Sequence, residues 1–170
     1  MNVTGARRWW ALGAISLAVL AITLDVTVLT VALPTLAGTL KASESQLQWF
    51  VSAYTLALVA AMLPAGLLGD RYGRKAVMVG ALLLFAAGSA GCALAPNAEV
   101  FIAARVALGL AGAAIIVLAL SILTVLFDEA ERPRAVGIWG AANFVGLPLG
   151  PIIGGWMLTN VWWGLSLIHI

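Results

Sequence analysis

Residues 106–127 read VALGLAGAAIIVLALSILTVLF and contain no charged side chain. A helix of about 20 apolar residues, rising about 1.5 Å per residue, is long enough to cross the hydrocarbon core of a bilayer. The apolar residues run on continuously instead of alternating with polar ones. The stretch therefore predicts a membrane-spanning helix and not a strand of a β-barrel.

The rest of the chain repeats this pattern. Hydrophobic residues make up 63% of the sequence and charged residues 9%, and the mean hydropathy is +1.08. Soluble domains average about 45–50% apolar and about 25% charged residues, so this composition requires lipid. We predict an all-α membrane protein, a polytopic helix bundle. Its spans are expected at 9–33, 47–68, 76–95, 100–126 and 136–158.

The basic residues predict the orientation. Seven of the nine lysines and arginines lie before the first span, after the second or after the fourth: Arg7, Arg8, Arg71, Arg74, Lys75, Arg132 and Arg134. Lys41 lies on the opposite side. By the positive-inside rule, the amino terminus is cytoplasmic in a multi-pass protein of the inner or plasma membrane. The net charge of +2 reflects this bias and does not indicate nucleic-acid binding. We interpret the acids of the last cytoplasmic loop as a solvated face: Asp128, Glu129 and Glu131.

Residues 1–163 are expected to form one transmembrane unit, an incomplete half-domain. Residues 164–170 stand where a sixth span should begin. We interpret them as an atypical tail, an artefact of a truncated or mistranslated reading frame. The lone His169 lies in that tail and the lone Cys92 in the third span, so the sequence offers no metal-ligating cluster.

The segment GLLGDRYGRK at 66–75 is the most specific motif in the chain. Glycines permit close helix approach and sharp turns, and Asp70 can accept from backbone N–H groups or pair with Arg74. The segment resembles the signature loop between helices two and three of the major facilitator superfamily. The resemblance implies a cytoplasmic latch that holds the two halves of a transporter together in one conformation. The matching positions are Gly66, Asp70, Arg71, Gly73 and Arg74.

Asp25 lies inside the first predicted span. A carboxylate at membrane depth is costly and usually functional, and low dielectric favours its neutral form, so such an acid can bind and release protons. The alternative is an acid satisfied by the hydroxyls of Thr23 or Thr27. The context LDVTVLTVALP at 24–34 resembles the first-helix motif of the 14-helix drug:proton antiporter branch. Thr30 stands where that motif usually has Asn.

Arg105 lies inside the fourth predicted span and needs a partner there. Counting from the outer helix ends at about 1.5 Å per residue, Asp25 lies about 13 Å and Arg105 about 9 Å deep. The two side chains are therefore predicted to meet if the first and fourth spans are neighbours. The alternative is an arginine that extends outward to the headgroups. The segment also resembles the family's fourth-helix motif, whose arginine is linked to proton coupling, although Leu108 replaces a frequent Gln.

The fifth span contains GLPLGPIIGG at 146–155. Gly146, Gly150 and Gly154 recur every four residues and so share one helix face, which can pack closely on another helix. Ordinary packing through small residues would explain this spacing. With Pro151 and Gly155, the segment also resembles the antiporter motif of the fifth helix, which implies a role in sealing the external mouth.

The resemblance implies a carrier and not an enzyme: a proton-coupled exporter of small amphipathic or cationic compounds, present here as an amino-terminal fragment. The driving force would be the proton gradient, with no cofactor. The partners would be the lipid bilayer, the substrate, protons and the missing carboxy-terminal half. Two alternatives stay open, a metabolite transporter for a sugar or amino acid and a non-transporting membrane scaffold.

Overall fold

The computed structural model describes residues 5–160, with side chains for 6–157. Five α-helices follow one another, each long and apolar enough to cross a membrane: α1 Gly5–Thr39, α2 Glu44–Tyr72, α3 Arg74–Ala93, α4 Ala98–Leu126 and α5 Arg132–Asn160. The predicted helix bundle and its five spans are confirmed. The predicted tail 164–170, with His169, lies outside the described residues.

The helices extend beyond the predicted spans at several ends. The predicted spans 47–68 and 76–95 leave a connection at 69–75, and this expectation is wrong because α2 continues to Tyr72 and α3 begins at Arg74. Only Gly73 separates them, with a φ of 91°, a conformation that favours glycine. Charged residues mark where the membrane ends, but a helix continues into water until a residue such as Gly73 breaks it.

Side-chain caps fix two helix starts at the same end of the antiparallel bundle. Ser43 caps α2 in a capping box with Gln46, and Asn97 caps α4 by accepting from the backbone nitrogen of Val100 at 2.9 Å. The connections at this end are therefore short. They leave the long apolar stretches of the helices to span the membrane.

Packing is centred on α4. This helix packs extensively against α2 and α3, while α1 packs mainly against α5. Leu108, Ile115, Leu118 and Leu123 of α4 are fully buried. Large apolar side chains elsewhere face outward, as expected of surfaces that contact lipid: Leu17, Leu63, Leu83 and Val125 are examples.

Candidate functional site

Asp25 of α1 and Arg105 of α4 form a buried ion pair. Arg105 Nη1 donates to Asp25 Oδ2 at 2.6 Å, and the two residues are 1% and 2% exposed respectively. The contact predicted from their similar depths is confirmed. The alternative, an Arg105 side chain that extends to the headgroups, is wrong because its guanidinium is enclosed by protein.

Two groups of α2 complete the surroundings of Arg105. Its Nε donates to the Phe50 carbonyl at 3.0 Å, and its Cζ lies 4.4 Å from the centroid of the Tyr54 ring. Phe50 and Tyr54 are four residues apart and so lie on one helix face. Sequence reasoning missed both, because a carbonyl has no sequence signal and a tyrosine in an apolar run resembles any membrane aromatic. The spacing of four was the only signal available.

The hydroxyls near Asp25 are engaged elsewhere. Thr23 donates to a backbone carbonyl of α1 at 3.2 Å and to the Asn143 side chain of α5. Thr27 donates to the Thr23 carbonyl at 2.8 Å, and Thr30 to the Thr27 carbonyl at 2.7 Å. The alternative in which Thr23 or Thr27 satisfies the carboxylate therefore does not match these hydrogen bonds. Asp25 is paired with a cation instead.

The pair gives the site a defined response to protons. A proton on Asp25 removes the negative charge and with it most of the attraction to Arg105, while the arginine stays charged. Removing one partner of a buried pair is expensive, about 3–5 kcal/mol, because the other charge is left uncompensated. Without the Asp25 charge, the buried Arg105 guanidinium would therefore keep, among the described residues, only its contacts to α2.

The loop motif ties three helices together. Arg74 Nη2 lies 3.2 Å from Asp70 Oδ1, and Arg74 Nη1 donates to the Ser121 carbonyl of α4 at 3.0 Å. Asp70 thus pairs with Arg74, one of the two partners that its sequence allowed. Arg71 extends over the ring of Tyr72, with its Cζ 5.3 Å from the centroid.

The glycines of this motif differ in what they require. A Cβ on Gly69 would collide with the Leu118 side chain of α4, whereas one on Gly66 would make ordinary contact with Val117 at 3.6 Å. A side chain at Gly69, a position that the resemblance did not single out, would therefore force the buried Leu118 side chain to move. Gly66 lies about one turn earlier on α2, where a side chain has more room.

The glycine face of α5 packs on α1. A Cβ on Gly146 would lie 2.9 Å from Thr23 Cγ2, one on Gly150 would overlap the Thr27 side chain, and one on Gly154 would lie 3.2 Å from a methyl of Val28. The prediction that these glycines share a close-packed face is confirmed.

The other two motif residues lie off that face. Pro151 is exposed, and a Cβ on Gly155 would meet no heavy atom within 4 Å among the described residues. Within one ten-residue motif, the structure thus separates three packing glycines from two residues that do not take part in this contact.

A second polar contact joins the start of α1 to the α4–α5 connection. Arg8 Nη1 lies 2.7 Å from Glu131 Oε2 and 3.9 Å from Asp128 Oδ2, and Arg134 lies over the Trp9 ring at 5.3 Å. The interpretation of all these acids as a solvated face is wrong for Glu131. The contact was missed because the two segments are far apart in sequence.

Comparisons with known proteins agree with this architecture. The family model of the Major Facilitator Superfamily matches residues 15–168. The multidrug efflux pump LfrA of Mycolicibacterium smegmatis is 40% identical over 95% of this chain and 32% of its own length. The methyl viologen resistance protein SmvA of Salmonella typhimurium is 38% identical over 93% of this chain and 32% of its own length. The chain thus spans about a third of these relatives.

Solved structures share the fold. A bacterial homologue of the human lysosomal transporter Spinster superposes with a TM-score of 0.82 at 21% identity, over 98% of this chain and 40% of that one. The proton:xylose symporter XylE superposes with a TM-score of 0.84 at 16% identity, over 98% and 42%. At such low identity they inform on the fold alone. With the family match over most of its length, the chain belongs to the Major Facilitator Superfamily.

Proposed function

We propose that this chain supplies the first five helices of a proton-coupled exporter of small amphipathic or cationic compounds. The buried pair of Asp25 and Arg105 carries the proposal, because intramembrane ionisable residues mark ion and substrate pathways. The names of the relatives, a multidrug efflux pump and a methyl viologen resistance protein, support the substrate class.

The proposed cycle turns on the charge of Asp25. With Asp25 ionised, the 2.6 Å contact to Arg105 holds α1 against α4. A proton taken from outside neutralises the acid and loosens this contact. The helices can then shift, as alternating access requires, and the proton leaves toward the cytoplasm as substrate is loaded. The driving force in this scheme is the proton gradient.

The signature loop has a conformational role in the same scheme. The Asp70–Arg74 pair and the bond from Arg74 to the Ser121 carbonyl join α2, α3 and α4 at one end of the bundle. A cluster fixed in this way offers a rigid surface on which the other half of a full-length transporter can close. We assign that latch to Gly66, Asp70, Arg71, Gly73 and Arg74.

We also infer that this end is cytoplasmic. The contact between Arg8 and Glu131 brings the basic amino-terminal segment and the α4–α5 connection to one end of the bundle, and the positive-inside rule assigns that end to the cytoplasm. Exposed Ser43 and Tyr72 lie at opposite ends. Cysteine at position 72 should resist an impermeant thiol reagent added to intact cells, whereas cysteine at position 43 should react. The reverse result would invert the topology.

Asp25→Asn tests the function in a full-length transporter carrying this sequence, reconstituted in liposomes. The amide is nearly isosteric but carries no proton, so uptake of methyl viologen driven by a pH gradient should fall at least tenfold. Asp25→Glu, which keeps the acid, should retain part of the activity. Glu44→Gln, at an exposed acid in the first turn of α2, should match the parent protein.

Three results would count against the proposal. If Asp25→Asn drives uptake at the parental rate, Asp25 is not the coupling acid. If sugars or amino acids but no organic cations are moved, the protein is a metabolite transporter. If the parent protein is folded but neither it nor any variant transports a solute, a scaffold role is favoured.

A further inference from the structure

The Tyr54 ring is the aromatic surface on which Arg105 rests. Its centroid lies 4.4 Å from the guanidinium carbon, and the residue is 3% exposed. Cation–π attraction is strongest where water is excluded, as it is here. Together with the Phe50 carbonyl, the ring holds the cation from the side of α2, while Asp25 holds it from α1.

The hydroxyl of Tyr54 does not explain this placement. Within residues 5–160 the phenol oxygen is buried and has no hydrogen-bond partner. The absence of a side chain at Gly112 makes room for it, since a Cβ there would lie 3.0 Å from that oxygen. The contribution of Tyr54 to the ion pair is therefore its ring.

The charged surroundings of the pair are few. Cys92 of α3 and Tyr54 of α2 are two titratable groups close enough to interact electrostatically with both Asp25 and Arg105. The other basic side chains of the described residues lie at the Arg8–Glu131 end of the bundle or, for Lys41, in the exposed α1–α2 connection, and Glu44 and Glu99 lie in the first turns of α2 and α4. In this part of the chain, Arg105 is thus the cation that stabilises the Asp25 carboxylate.

We propose that Tyr54 is a positioning residue that keeps Arg105 beside Asp25 and thereby sets the pH at which Asp25 takes up its proton. The inference rests on the proton-coupled function proposed above. When Asp25 is neutral, the ring and the Phe50 carbonyl are the partners left to the cation, so Arg105 stays in place for the next deprotonation.

The direction of the effect follows from the geometry. Without the ring, Arg105 is held less firmly and stabilises the carboxylate less. Asp25 then binds its proton at a higher pH, as it would if Arg105 were removed altogether. A Tyr54→Leu substitution should therefore act as a partial form of Arg105→Gln.

The test is a pH titration of the purified full-length transporter by infrared spectroscopy, following the protonated-carboxyl band that disappears in Asp25→Asn. Tyr54→Leu should raise the midpoint by about one pH unit, whereas Tyr54→Phe, which keeps the ring, should leave it near the parental value. If the Leu variant does not accumulate, Tyr54→Met fills the same space with a flexible side chain.

A double-mutant cycle separates positioning from general structural damage. In an Arg105→Gln background, Tyr54→Leu should cause no further shift, because its effect passes through Arg105. The inference would be overturned if the midpoint shifts of Tyr54→Leu and Arg105→Gln add fully in the double variant. It would also be overturned if Tyr54→Leu leaves the midpoint unchanged, or if Tyr54→Phe shifts it as much as Tyr54→Leu does. Export that survives Asp25→Asn would instead refute the proposed function, and the infrared midpoints would still decide the role of Tyr54.

Discussion

The two interfaces α2–α4 and α1–α5 both rely on glycines, but these glycines face different things. A Cβ on Gly109 of α4 would collide with the Tyr54 carbonyl oxygen and lie 3.1 Å from the Leu58 nitrogen, both backbone atoms of α2. A Cβ on Gly150 of α5 would instead overlap the Thr27 side chain of α1. A backbone atom can move away only if the whole helix moves, whereas a change of rotamer can move the Thr27 hydroxyl, although the Thr27 Cβ, 2.6 Å from the added atom, moves only with α1.

We therefore call α2–α4 the fixed pair and α1–α5, where a side chain can relieve part of the collision, the adjustable pair. Arg105 belongs to the fixed pair, since α2 supplies its carbonyl and ring contacts. Asp25 belongs to the adjustable pair. The ion pair therefore connects the fixed pair, which holds the cation, with the adjustable pair, which carries the acid. Under the proposed cycle, we expect a change of charge on Asp25 to move α1 and α5.

The largest expected effect is at the fixed interface. Gly109→Leu should destabilise the protein by about 3 kcal/mol or more, because overpacking against a backbone has no local relief. The membrane abundance of the full-length transporter, measured by quantitative immunoblotting, should fall severely. Normal abundance with normal transport would show that α2 and α4 can separate at no cost. That result would contradict the distinction between the α2–α4 and α1–α5 interfaces.

The same change at the adjustable interface should affect transport more than folding. Gly150→Leu should lower the rate of methyl viologen export at least tenfold at near-parental abundance, since α1 and α5 are pushed apart while a change of rotamer at Thr27 relieves part of the collision. Ile152→Leu is the matched control, because Ile152 is 66% exposed and lies about 200° around the helix. Equal activity of the two variants at equal abundance would contradict the close-packing argument.

The smallest expected effect is at Gly112, a glycine of the fixed α2–α4 interface that faces a side chain and not a backbone atom. Gly112→Ala brings a methyl group 3.0 Å from the Tyr54 hydroxyl, which predicts a loss of about 1 kcal/mol of stability. Adding Tyr54→Phe removes that oxygen and should restore the thermal midpoint. Gly155→Ala, where a Cβ would meet no heavy atom of residues 6–157 within 4 Å, should change nothing. If Tyr54→Phe does not restore the lost thermal stability, the backbone and not the Tyr54 hydroxyl limits the size of the side chain at position 112.

Sequence reasoning was most successful where the depth of a residue in the membrane was enough to predict a contact. Counting residues from Pro34 and Glu99 placed Asp25 and Arg105 at similar levels, and they do meet. It failed at the boundary of α2, because hydropathy locates the membrane surface and not the helix end. In the fifth-helix motif, the spacing of four put Gly150 on the packing face, but the resemblance that added Gly155 did not show that its surroundings differ.

By itself the sequence determined that residues 5–160 contain five membrane-spanning helices, because lipid leaves no other way to satisfy the backbone over such apolar runs. It also placed both intramembrane charges inside spans, Asp25 in the first and Arg105 in the fourth. Only the tertiary structure decided which helices are neighbours, and hence that Phe50 and Tyr54 enclose Arg105 and that Gly150 meets Thr27. The physical reason is that lipid is as apolar as leucine, so hydropathy does not choose between helix faces. Close fit and a few polar contacts do.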